Sequence, residues 1–150
     1  MADGLLDGFW ANGMGAEVAV RRGVGTIVID TRRGDGPEPS WHYTFPALVT
    51  RADVPDDQAA AAVRALVRAQ ALLRQDPSRA TQVAERVFPA MEAGLIAELI
   101  RRDVPYYDAA ISRETFDTLN RFAADMDLLH TTPVYEEVVA AELAPLWAVA

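Results

Sequence analysis

The sequence predicts an α/β protein with a few strands and a helix-rich C-terminal half. Three observations lead there. LLDGFWANGMGAEVAVRRGVGTIVID, residues 5–30, is a short apolar run, a glycine turn opening an amphipathic segment, then a second apolar run, which is the order of a βαβ unit. HYTFPALVT, residues 42–50, mixes aromatic and β-branched residues and predicts a third strand, with Pro46 confining it to an edge or a crossing segment. From Pro55 onward, apolar residues recur at three- and four-residue spacing almost to the C-terminus.

Within the βαβ unit, Phe9 and Trp10 close the first strand, Asn12 is placed to cap the helix, and Gly13 and Gly15 leave its first-turn N–H groups uncovered. The turn between first strand and helix is where such units hold ligands, so a small anionic or polar molecule fits there. TRRGDGPEPSW, residues 31–41, is dense in Gly, Pro and charge and reads as the internal boundary. Pro55 and Asp56 start a helix that ends before Pro77, with Val63, Leu66, Val67 and Ala71 on one side. Residues 77–89 give a second helix with a stripe through Ala80, Val83, Ala84, Val87 and Phe88 expected to be buried. A third covers 91–102 through Leu95, Ile96, Leu99 and Ile100 until Val104-Pro105, Ser112 caps a fourth, and Thr132-Pro133 opens a last one over 134–144.

The 150 residues are 51% hydrophobic, enough for the core of one globular domain. No apolar run approaches the roughly 18–20 residues that span a bilayer, and MADGLLDG is acidic where a signal peptide is basic, so no export address is expected. Twenty-two acidic residues against 14 basic ones, all Arg, give a net charge of −8, which repels phosphate backbones and argues against a nucleic-acid partner. With no Cys there is no disulfide, thiolate nucleophile or thiolate-bound metal.

The residue types that carry chemistry have structural roles by position. Asp56-Asp57, Glu136-Glu137 and Asp125/Asp127 lie at helix ends, where carboxylates meet orphan N–H groups or sit in capping turns. His42 and His130 lack any metal-ligand spacing, and Ser40, Ser78 and Ser112 lie in no G-x-S-x-G, so neither a metal site nor a catalytic group is expected. NGMG is not a phosphate-binding loop, since the chain has no Lys, and it falls short of G-x-G-x-x-G at Val18. Arg21-Arg22 suit a helix C-terminus, Tyr106-Tyr107 a gap between helices, and Trp147 the pinning of the C-terminal segment. Phe9-Trp10 differ: aromatic faces immediately before helix N–H groups pair stacking with donors.

The succession LLDGFWANGMGAEVAVRRGVGTIVID, RRGDGP, YTFPALVTRADVPDDQAAAAVRALVRAQALLRQDP and ATQVAERVFP resembles the C-terminal part of the substrate-binding proteins of ABC transporters for nitrate, sulfonate, taurine and thiamine-pyrimidine precursors, over residues 5–147. The resemblance implies a periplasmic-binding-protein type II-like fragment. Residues 1–38 would be a remnant of the second lobe, and 39–150 the hinge strand and C-terminal helices of the first. It further implies an extracytoplasmic, non-enzymatic component without a cofactor, which captures a small organic solute by lobe closure and delivers it to an ABC permease. The implied ligand set is Trp10 for stacking, Asn12, Gly13, Met14 and Gly15 as the donor turn, and Tyr43 near the hinge.

Family members are about twice this length, so the cleft would be half-built. Weak or no solute binding by the chain alone, and self-association through unpaired sheet edges, are then expected. Two other readings stand beside this one. Pyrimidine-precursor synthases share the implied fold but need a reactive His and a Cys-rich metal motif, which a chain without Cys cannot supply. Alternatively, the helices from Pro55 onward form a protein-interaction module.

Overall fold

A computed structural model describes residues 1–11, 13–43 and 47–148. It overturns the α/β expectation: helix accounts for 59%, and among the described residues there is no strand. Residues 5–10, 25–30, 43 and 47–50 carry no helix or ladder, and 44–46, in the middle of the predicted third strand, lie outside the described residues. The physical reason is that a strand holds only when neighbours take its N–H and C=O groups, and two or three short runs do not make a self-sufficient sheet. Local chemistry also works against the first run. Gly4 sits at φ +68° and its N–H bonds the Met1 carbonyl at 3.0 Å, closing a tight turn just where the strand would begin.

Among the described residues six α-helices form instead: α1 Gly13–Arg21, α2 Asp56–Gln75, α3 Ser78–Val87, α4 Ala90–Asp103, α5 Arg113–Asp125 and α6 Tyr135–Val138. Their ends follow from side-chain chemistry. After α1, Gly23 at φ +66° donates to Val20 O and Val24 donates to Ala19 O, the paired bonds of a glycine-terminated helix. Asp56 and Asp57 sit in the first turn of α2 and Arg74 in its last, each favourable to the helix dipole. Asp76 links α2 to α3: its Oδ1 accepts from Ser78 N at 3.0 Å and from Ser78 Oγ at 2.6 Å. Those two bonds hold the Asp76 carboxyl below its usual range.

Ser112 caps α5, its Oγ accepting from Thr115 N at 3.0 Å. At the other end Asp127 takes φ 57° in the position that Gly23 holds after α1, and Leu128 N closes onto Ala123 O. The last predicted helix is cut short. After four residues the chain leaves the helix at Val139, which takes an extended backbone, and resumes as a 3-10 segment, Ala141–Leu146. An α-helix there would drive the Pro145 ring into the carbonyl four residues before it.

The chain divides into two compact units, Met1–Asp30 with Gln70–Tyr107 and Thr31–Ala69 with Asp108–Ala150. In the first, α4 packs against both α1 and α3. Its buried apolar residues are Ala19, Ala84, Ala93, Leu95 and Ala97, so helices approach closely on small side chains and bury little area for their length. Gly13 fits the same logic: a Cβ there would lie 2.7 Å from Leu99 Cδ1. Charge adds to this packing, since Arg102 of α4 ion-pairs Glu17 of α1 and bonds Asp103 at 2.9 Å. In the second unit Phe116, Tyr135 and Val139 form the core, with Ile111, Ala141 and Trp147 packed around it. The Phe116 and Tyr135 rings meet edge to face at 5.4 Å, the Tyr135 hydroxyl donates to Ile111 O, and the Arg113 guanidinium lies 4.5 Å over the Tyr135 ring. Among the described residues no helix is long and apolar enough to cross a membrane.

Candidate functional site

The first unit leaves several large apolar side chains in water, Val28, Ile29 and Val87 among them, and the N-terminal run gathers four together. Leu5, Leu6 and Trp10 are 84%, 59% and 92% exposed, and Phe9 is about half exposed. They lie on a loop whose two ends are held against α1 and the turn after it. At one end the Met1 side chain covers Gly25, where a Cβ would stand 2.9 Å from Met1 Cε and 3.5 Å from Ala19 Cβ. At the other, the Phe9 ring comes within 3.9 Å of the Cβ position of Gly15. Between these anchors the loop turns Leu5 and Leu6 outward with Asp3 and Asp7 exposed beside them, and Trp10 stands exposed directly after the second.

This arrangement redistributes the sequence-derived ligand set. Trp10 stands in water. Asn12 lies outside the described residues. Gly13 turns its Cβ direction into Leu99, and Gly15 is crowded by Ala11 Cβ at 3.1 Å as well as by Phe9. Met14 is half-buried. On their Cβ sides Gly13 therefore faces Leu99 of its own unit and Gly15 faces its own loop. Tyr43 belongs to the other unit, where its ring lies 5.3 Å from that of Phe122 at 50°. The structure thus keeps Trp10, Gly13, Met14 and Gly15 together through sequence adjacency and gives Tyr43 a packing role.

Residues that sequence reasoning passed over are Leu5 and Leu6, taken as the interior of a strand. Their signal was present: LL-DG-FW pairs apolar residues where a half-buried strand alternates them. A second omission is an open groove of about 250 Å³ in the second unit, between α5 and the segment after it, lined by Phe116, Asn120, Arg121, Leu129, Thr132 and Pro133. Five of its nine lining residues are already exposed, so a ligand there would gain little desolvated contact. Tyr107, in the first unit, has its phenol pushed up, first by burial and then by the nearby Asp103 charge. The side chain of His42 lies outside the described residues, and His130 stands 3.4 Å from Asp127 in an exposed pair.

Comparison with known proteins found no matching family model, no matching curated protein and no matching solved structure.

Proposed function

We propose that this chain is a helical protein-interaction module that binds another protein through the loop at residues 5–10 of its first unit. The observation that carries this is the outward display of Leu5, Leu6 and Trp10 on a loop anchored at both ends. Each of these side chains would gain about 1.5–3 kcal/mol on full burial. Anchoring also lowers the ordering cost that a free tail pays on binding. Contiguous apolar display of this kind on a small helical chain marks a contact surface.

Solute capture as part of an ABC importer relies on two α/β lobes closing, and the described residues supply no sheet for either lobe. What remains for that reading is the exposed indole of Trp10, which serves a protein partner equally well. Site-specific photocross-linking separates the possibilities. A benzophenone side chain at position 10, in cells that make the chain, is expected to give a discrete adduct with a second protein, and the same probe at the exposed Ala61 of α2 is not. No adduct at position 10, or the same adducts from both positions, would contradict the proposal.

A further inference from the structure

The charge around the loop points to the chemistry of its partner, an inference that rests on the protein-interaction reading above. Residues 1–20 contain Asp3, Asp7 and Glu17 and no basic side chain before Arg21. Glu17 is taken up by Arg102. Asp3 and Asp7 are exposed, and among the described residues neither forms an ion pair or hydrogen bond. Two uncompensated carboxylates therefore bracket Leu5 and Leu6, with Phe9 and Trp10 following directly.

We infer that the loop docks into an apolar groove rimmed by Arg or Lys on a partner protein, with Leu5, Leu6 and Trp10 filling the groove and Asp3 and Asp7 meeting the rim. The same charge argues against the other occupants of an apolar surface. A second copy would bring four loop carboxylates together between two chains of net charge −8, and an anionic membrane would repel both the loop and the chain behind it. A basic rim converts that repulsion into steering and leaves the apolar contact to supply affinity.

The test uses two labelled helical peptides of one pattern, one with a Leu face flanked by Lys and one with the same Leu face flanked by Glu, followed by fluorescence anisotropy. The full chain is expected to bind the Leu/Lys peptide and not the Leu/Glu peptide. Leu5→Ala/Leu6→Ala should weaken binding about tenfold or more, and Asp3→Asn/Asp7→Asn about threefold with a shallower salt dependence. All four positions are exposed, so unchanged circular dichroism should accompany each variant. If Leu5→Ala/Leu6→Ala weakens binding but Asp3→Asn/Asp7→Asn does not, the basic rim is overturned while the interaction surface stands. If neither variant changes binding, the attraction is bulk charge, and the loop loses its role in both readings. Binding to anionic vesicles, or concentration-dependent sedimentation, that Leu5→Ala/Leu6→Ala abolishes would give the loop to a membrane or to a second copy and overturn the inference.

Discussion

Arg102→Met is expected to destabilise the first unit by about 3 kcal/mol, the cost of leaving a buried charge without its partner. The Arg102 and Glu17 side chains are only 24% and 18% exposed, and they join α4 to α1 across the smaller of the α4 interfaces with α1 and α3. Alanines dominate the buried residues of this unit, so there is little apolar area to absorb the loss. The pair is also imperfectly satisfied, because Arg102 Nη2 is buried without a hydrogen-bond partner. Replacing both charges together, Glu17→Leu/Arg102→Met, should therefore recover most of the loss, giving a coupling of about 2 kcal/mol in a double-mutant cycle. Urea unfolding of the two single variants and the double variant measures this. Additive losses would mean that the two side chains act independently. The exposed Arg21–Glu98 pair on the same two helices, at 3.1 Å, is the contrasting case and contributes under about 1 kcal/mol.

Phe116→Ala should cost about 3–4 kcal/mol, and the physical reason is different. Phe116 is the centre of the only cluster of large buried side chains among the described residues, touching Tyr135 edge to face and closing over Val139. Removing the ring takes away the edge-to-face contact with Tyr135 and the packing on Val139 together. At about 2–4 °C per kcal/mol for a chain of this size, the melting temperature should fall by roughly 10 °C. Phe116→Leu, which retains most of the volume, should cost about half as much. Thermal circular dichroism reads both. A fall of only a degree or two for Phe116→Ala would mean that the cluster does not act as a core.

The helices were legible where local chemistry specifies them. Asp56 in the first turn of α2, Pro77 ahead of α3 and Ser112 capping α5 each mark an end through chemistry confined to a few residues. The strands were misread because strand identity depends on a distant neighbour, and apolar runs such as 5–10 and 27–29 look the same whether paired or exposed. The α3 stripe fails for a related reason. Periodicity groups Val83, Ala84, Val87 and Phe88, yet only Ala84 is buried while Val83, Val87 and Phe88 remain exposed. A shared face does not guarantee a covering partner. Tyr43 illustrates the limit for sites: an aromatic residue near a predicted crossover reads the same whether it meets a ligand or, as here, Phe122.

Among the described residues the chain forms helices and no strand, and it holds Leu5, Leu6 and Trp10 in water on a loop. Backbone NMR with amide hydrogen exchange on the free chain tests this most directly. The expected result is carbon shifts without strand character and unprotected amides over residues 5–10, beside protected amides in α3 and α4. Strand-like shifts with protected amides over both 5–10 and 25–30 would contradict it.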